Sequence, residues 1–490
     1  MILLLFQSFI FLVVPWVCWR LVRRRLFPTV LDNIPGPRAQ SWIAGSLNEL
    51  VNTQAWDYHQ KVAETYGGVT RVKGVFGANS IYVFDPKALH HILVKISEPI
   101  FYLIAYKVDI MKWMTRLGLE VMGQAGLGYS FDDLTDNSVL HEYALAAQKL
   151  VTMQSSIVVA DTLIPLITKI GTPRFRRFVV DLLPFKRISV LRDIVDTLHR
   201  TSVGILKSKR QAIHEGEGAV KAQIGGGKDI MSVLMRDNKQ ASENERWSEE
   251  ELLGQITSLT FAGTDTTSAA LSRTLHLLAL HKDVQQKARE EVRKARKEGG
   301  GQDISYDVLV SLPYLDAICK ETLRLHPPVS TLTRVTRQDV VLPVGTPIKG
   351  LHGEQIQEVP LPKGTLIIMS IFNANRTPQI WGPDAQEWKP DRWLRPLPDS
   401  VVNAHIPGVY SHLLTFLAGG RACMGFKFAQ LEMSKSQCFR AEVVLALLLE
   451  SLEFSVSDKK IFWQMNGTVT PNLHPNIIGA SLPMVISLAK

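Results

Sequence analysis

The run Phe416-Leu417-Ala418-Gly419-Gly420-Arg421-Ala422-Cys423-Met424-Gly425 sets one thiol in a glycine-rich loop just before a helical stretch. Backbone N–H groups near a helix start favour the thiolate, the form of cysteine that ligates metals. The glycines let the backbone approach something large and flat, and Arg421 adds a cation two residues away. A lone cysteine is more often a buried hydrophobe than a ligand, so the spacing has to carry the argument. The pattern is F-x-x-G-x-R-x-C-x-G. In a chain with 19 Phe, 33 Gly and 4 Cys among 490 residues, its Phe, two Gly and Cys would coincide by chance about 0.0007 times. None of the cysteines (Cys18, Cys319, Cys423, Cys438) forms a C-x-x-C pair, which argues against a zinc cluster, a redox dithiol or a disulfide framework. Unpaired thiols fit a reducing compartment.

Three further constellations could do chemistry. Ala262-Gly263-Thr264-Asp265-Thr266-Thr267 lies midway along an expected long helix. There Gly263 would leave room for a ligand against the helix, and an Asp-Thr pair can relay protons. Thr264 and Thr267 fit the blander role of helical hydroxyls bonded back to a carbonyl. Glu321 and Arg324 stand at i and i+3 on one helical face. An exposed pair of that kind contributes only about 0–1 kcal/mol. Pro390-Asp391-Arg392-Trp393, preceded by Trp381-Gly382-Pro383-Asp384, offers a further cation. Gly225-Gly226-Gly227-Lys228 fails as a phosphate loop, because Asp229 stands where Ser or Thr is needed, and reads as a flexible connector.

In this order the motifs resemble those of the cytochrome P450 family, the haem-thiolate monooxygenases, and the resemblance covers essentially the whole chain. It implies a mainly α fold with a minor β part in a single large domain, and haem (iron protoporphyrin IX) as cofactor. Cys423 would be the metal ligand, within a loop whose Phe416, Gly419 and Gly425 match the cofactor-binding positions. Thiolate ligation pushes electron density toward O–O cleavage. Arg421 and Arg334 would pair with the haem propionates. Thr266, aided by Asp265, would deliver protons to bound O2. Glu321, Arg324 and Arg392 would form a buried structural triad bracing the Cys423 loop. With no flavin or nicotinamide fingerprint present, electrons would come from NADPH through a separate flavoprotein reductase. The net charge of +9 suits an acidic reductase surface. A lipophilic organic substrate (secondary metabolite, steroid, terpenoid or xenobiotic) would receive one oxygen atom. Nucleic acid is not an expected partner.

The chain departs from the family at one place. Family members carry two or three helices between the short helix expected at 86–95 and the stretch beginning at Val108, and one of them presents a W-x-x-x-R pair to the propionates. Here about a dozen residues, Ile96–Lys107, fill that interval, too few for more than one short helix. Trp113 and Arg116 are three apart and resemble the family's later helix, so they do not take that role. Two rival readings follow: a catalytically impaired haem-binding remnant, and an O2-independent haem-thiolate isomerase or dehydratase, against which the intact Asp265-Thr266 pair argues.

These groups need a scaffold. Residues 2–19 (ILLLFQSFIFLVVPWVCW) carry no charge and would span about 27 Å as a helix. Arg20, Arg23, Arg24 and Arg25 follow and favour a signal anchor in the endoplasmic reticulum with the body facing the cytosol. Residues 20–39 form a basic collar and a Pro-rich hinge around Ile34-Pro35-Gly36-Pro37, leaving 40–490 as the catalytic domain. Val69–Phe84 reads as a hairpin, and apolar periodicity predicts helices over 109–126, 140–160 and 187–214. Ser248-x-x-Glu251 predicts a capping box opening a helix to about His281. Pro313 opens another that Pro327-Pro328 stops. Strands are expected at 329–336 and 364–369, a helix at 426–449, and strands at the end. Val329, Leu332, Phe261 and Ile157 are candidate pocket walls. Asn375-Arg376-Thr377 and Asn466-Gly467-Thr468 match glycosylation sequons that a cytosolic body would leave bare.

Overall fold

The computed structural model describes chiefly residues 30–41, 56–66, 69–83, 106–135, 141–150, 170–426, 441–474 and 479–489, apart from isolated positions within these ranges. The expected anchor at 2–19 and the expected helix at 86–95 lie outside the described residues. Among the described residues no helix is long and apolar enough to cross a membrane. The chain divides into two compact units, Met1–Ile104 and Ala105–Lys490.

The first unit contains α1 (Trp56–Tyr66) and the antiparallel hairpin of β1 (Val69–Lys73) and β2 (Asn79–Val83), in register from Val69↔Val83 to Lys73↔Asn79. The Pro-rich hinge is non-helical, as its prolines require. It is fastened to β1: Arg71 N–H and Thr70 Oγ1 donate to Pro35 O at 3.0 and 2.7 Å. A Cβ at Gly36 would sit 1.7 Å from Arg71 O, so only glycine permits this approach.

The second unit begins with β3 (Tyr106–Asp109), which runs straight into α2 (Ile110–Val121). Asp109 caps α2 by accepting from the N–H groups of Met111 and Lys112. A six-residue π-helical turn, Met122–Leu127, ends it. Next come α3 (Pro173–Leu182), α4 (Lys186–Glu215), α5 (Glu217–Ala222) and α6 (Ile230–Gln240). The glycine run before α6 is a 3-10 turn, Ile224–Gly227, rather than a flexible connector. Asp229 caps α6 through Ser232 N–H and forms a buried ion pair with Lys209 at 2.6 Å, so this loop is tied down on two sides.

The long helix α7 (Glu249–Leu280) carries the expected capping box. Glu251 N–H donates to Ser248 Oγ, and Ser248 N–H donates to the Glu251 carboxylate. At 1.5 Å per residue its 32 residues extend about 48 Å. Then follow α8 (Lys282–Glu298), α9 (Tyr306–Leu309) and α10 (Pro313–Leu325), the last opened by Pro313 and stopped before Pro327 as predicted. Beyond it lie β4 (Thr331–Val335), β5 (Val340–Lys349), β6 (Gln355–Leu361), β7 (Leu366–Ser370), α11 (Ile371–Ala374), α12 (Pro378–Trp381) and α13 (Asp399–Val402). The chain closes with α14 (Ala441–Ser451), β8 (Leu452–Val456), β9 (Phe462–Asn466), β10 (Thr468–Asn472) and β11 (Pro483–Leu488). Of the helix expected over 426–449, residues 427–440 lie outside the described set.

Among the described residues all strand pairings of this unit are antiparallel: β4 with β7, β5 with β6, β9 with β10, and β11 between β3 and β8. Helix α7 crosses two hydrophobic cores. Its first half packs Leu252, Leu253 and Ile256 against Leu119, Ile205 and Met231. Its second half packs Leu271, Leu275 and Leu278 against Leu315, Ile318, Leu445 and Phe454. A third, smaller core of Trp381, Ala385, Val401, Tyr410 and Leu413 lies under the loop that carries Cys423. Mostly helix with small sheets is the observed class. Arg116 is consumed locally: it lies 4.4 Å from the Trp113 ring and donates to both oxygens of buried Asp132 at 2.7 Å. That use agrees with withholding the propionate-binding role from it.

Candidate active site

The Cys423 loop is built from two short 3-10 turns, Leu414–Phe416 and Gly419–Arg421. Between them Leu417 adopts φ +59°, a left-handed value that costs a branched residue about 1–3 kcal/mol. Gly419 adopts φ +64° at no such cost. Cys423 N–H closes the loop onto Phe416 O at 2.8 Å, and Val409 N–H donates to Leu417 O at 3.0 Å. Phe416 is packed between Tyr410 and Phe426, with ring centroids 5.5 and 6.4 Å away. A Cβ on Gly425 would lie 3.8 Å from Cys423 Sγ, an ordinary packing distance, so the sulfur itself does not demand glycine there. Cys423 keeps exposed surface, yet enough of its thiol is packed that burial pushes its pKa up. The N–H groups of Gly425 and Phe426 pull the other way. A metal cation at the sulfur would complete the deprotonation.

The loop is held by the predicted triad, now visible as a network. Arg324 makes a bidentate pair with Glu321 at 2.9 Å, both fully buried. Arg392 Nε reaches Glu321 at 3.4 Å, and Trp393 Nε1 and Lys389 N–H each donate to it at 3.0 Å. Arg324 also donates to the carbonyls of Asn375, Ala385 and Glu387. The Asn375 side chain then accepts from Leu414 N–H and donates to Thr415 Oγ1, both at 2.8 Å. Thr415 Oγ1 in turn donates to Leu323 O on α10. Asn375 thus links the charge cluster to the thiol loop. Sequence reasoning noted it only as a sequon; its 0% exposure rules out glycosylation there.

Opposite the loop stands α7. Thr266, Thr267 and Ala270 share a cavity of about 220 Å³ with Cys423, Phe416, Leu417, Val329 and Leu332. Two of the four expected pocket walls therefore line it. Phe261 instead packs on the core around the first half of α7, and Ile157 lies outside the described residues. A second cavity of about 580 Å³ is lined by Thr333, Arg334, Val335, Arg337 and Arg421. Arg334 and Arg421 are thus brought together, joined by Arg337, which had no motif to announce it. An apolar cavity walled by a thiol, and three guanidinium groups lining another, fit a planar apolar macrocycle that carries a metal and two carboxylates.

Two expectations need correction. Gly263 leaves no room for a ligand: a Cβ there would lie 2.5 Å from Met122 Sδ, and the π turn's methionine fills the vacancy. Asp265 and Thr266 are not seen as a joined relay. Thr266 Oγ1 donates back to Ala262 O at 2.8 Å, as Thr264 does to Thr260 O at 2.7 Å. Asp265 is buried, is absent from the cavity lining, and leaves Oδ2 without a hydrogen-bond partner. Burial alone pushes its carboxyl up to about 7.

The sequence pattern of the cytochrome P450 family matches residues 102–476. A cytochrome P450 monooxygenase of Postia placenta is 43% identical, with 97% of each chain covered. A ganoderic acid synthetase of Ganoderma lucidum is 36% identical over 94% of each. A crystal structure of a cytochrome P450 superposes with a TM-score of 0.54 at 21% identity, over 79% of this chain and 69% of that one. The chain belongs to the cytochrome P450 family, and it is a P450 monooxygenase. The two fungal alignments run over 542 and 524 positions, more than the 490 residues present, so each relative has residues with no counterpart here.

The buried carboxyl makes a stability prediction. An ordinary Asp titrates near 4, so between pH 4 and 7 only the folded state keeps this proton. Stability is therefore complete below about pH 4, falls as pH rises through 7, and is then lower by about 4 kcal/mol. Asp265→Asn should leave stability near pH 4 unchanged and raise the denaturation midpoint at pH 8. A variant no more stable than wild type at pH 8 would refute the buried, unpartnered carboxylate.

Proposed function

We propose that this P450 monooxygenase inserts one oxygen atom from O2 into a lipophilic organic molecule, using haem bound through Cys423. The observation that carries this reading is that Cys423 and Thr266 line one apolar cavity. Cys423 would hold the iron, and Arg421, Arg334 and Arg337 would hold the two carboxylates. Bound there, haem supplies the redox and O2-activating chemistry. The chain's own share is to exclude water with Val329, Leu332 and Phe416, and to move protons. Thr266 lines the cavity, so its hydroxyl, once released from the Ala262 carbonyl, would be placed to hand a proton to a molecule held there. Asp265, next to Thr266 in sequence and titrating near neutrality, would be the acid that resupplies that proton, although the two side chains are not bonded to each other. The apolar lining supports a lipophilic substrate.

NADPH electrons through a flavoprotein reductase and anchoring by residues 2–19 belong to the same proposal. The cytosol-facing placement at the endoplasmic reticulum is supported by the arginines after residue 19. It is supported too by α3, none of whose residues is buried, with Phe175, Phe178 and Leu182 49%, 59% and 66% exposed. Such a surface suits the interface of a membrane.

A second reading, impaired haem retention, is favoured by the short 96–107 interval together with relatives that carry extra residues. One experiment separates the two. Reduced, haem-reconstituted protein exposed to carbon monoxide will show the absorption band of thiolate-ligated haem, and Cys423→Ser will lose it. A band that appears only after the Postia relative's corresponding segment is inserted at 96–107 would establish the second reading. No thiolate band in either form would refute both. For the proton step, Thr266→Ala should keep consuming NADPH while product falls at least tenfold and peroxide rises. Unchanged coupling would remove Thr266 from the mechanism.

A further inference from the structure

Two turns beyond Thr266, α7 presents Arg273 to a cluster that the oxygen chemistry does not use. Arg273 Nη2 lies 2.7 Å from His326 Nδ1, at the end of α10, and Arg376 Nη2 lies 3.2 Å from the same atom. The Arg273 guanidinium stacks 4.2 Å from the Trp463 ring on β9, and that of Arg376 stacks 3.8 Å from Phe372. Arg376 also donates to Leu325 O. Two cations therefore share one acceptor. Four buried nitrogens of the cluster, Arg273 Nε, Arg376 Nε, Trp463 Nε1 and His276 Nδ1, have no hydrogen-bond partner. Among the described residues no carboxylate pairs with either arginine.

A guanidinium does not shed its proton, so burial and mutual repulsion cannot be relieved by neutralisation. His326 does not help: burial and the neighbouring arginines push it down to about 2, which keeps it neutral. Stacking on two rings offsets only part of the charge. The missing component is an anion.

We propose that Arg273, Arg376, His276 and Trp463 form a binding site for a small monovalent anion, chloride in the cell, which locks the end of α7 to the segment after α11 and to β9. A halide suits the site because Arg273 Nε, Arg376 Nε and Trp463 Nε1 are buried N–H donors left without partners. His276 also lines a cavity of about 250 Å³ with Ser457 and Lys459.

The test uses the full-length haem-bound enzyme at fixed ionic strength, with potassium chloride replacing potassium gluconate stepwise. The thermal midpoint should rise and saturate, by roughly 3 °C at a hundredfold excess over Kd. Arg273→Met should abolish the chloride dependence. Crystals soaked in bromide should show an anomalous peak between the two guanidinium groups, an arm that stands even if the variant does not fold. Identical midpoints at every chloride fraction overturn the proposal. So does a crystal with no bromide there, or with a haem carboxylate seated on the arginines instead.

Discussion

Everything near Cys423 depends on one buried carboxylate. Glu321 has no exposure to water, so its charge is tolerable only with donors on every side. The two arms of Arg324, the Arg392 guanidinium, the Trp393 indole and Lys389 N–H provide them. Arg324 then has N–H groups left over, and these fix three carbonyls between residues 375 and 387. One of those carbonyls belongs to Asn375, whose side chain holds the 3-10 turn leading into the thiol loop. Electrostatic necessity in one place thereby becomes positional precision in another. Removing one partner of such a buried group costs about 3–5 kcal/mol, which makes the arrangement stiff.

The opposite wall is positioned by different physics. Helix α7 is fixed by apolar packing along both halves and by a local cap at its start. Inside it, Thr257, Thr260, Thr264 and Thr266 return their hydroxyls to carbonyls four residues back. These hydroxyls are satisfied at rest, whereas Asp265 is held buried with Oδ2 unpartnered and its carboxyl pushed up to about 7. The helix thus carries one carbonyl-bonded hydroxyl and one desolvated acid side by side in sequence, facing different surroundings.

Features written in short-range chemistry were readable in advance. The Ser248–Glu251 cap, the Pro313 start and the Pro327 stop each depend on neighbours a few residues away, and all appear where predicted. The pairing of Glu321 with Arg324 and Arg392 was readable through motif resemblance, since its partners lie about seventy residues apart. Asn375 was not. Its bonds to Leu414 and Thr415 span 39 and 40 residues, and nothing in its local sequence separates a buried linker from a surface sequon. Met122 filling the Gly263 vacancy was equally hidden, because a missing side chain shows that something approaches but not what. The order of the glycine run before Asp229 is hidden for a related reason: it comes from Lys209, twenty residues upstream of that aspartate.

The link from charge cluster to sulfur is tested most directly at Asn375. Asn375→Ala keeps the backbone carbonyl that Arg324 uses and removes only the grip on Leu414 and Thr415. The account predicts near-native far-ultraviolet circular dichroism with at least a tenfold faster loss of haem to an apomyoglobin acceptor, since the unmade bonds cost about 1–3 kcal/mol. Haem loss at the wild-type rate from a folded variant would contradict it.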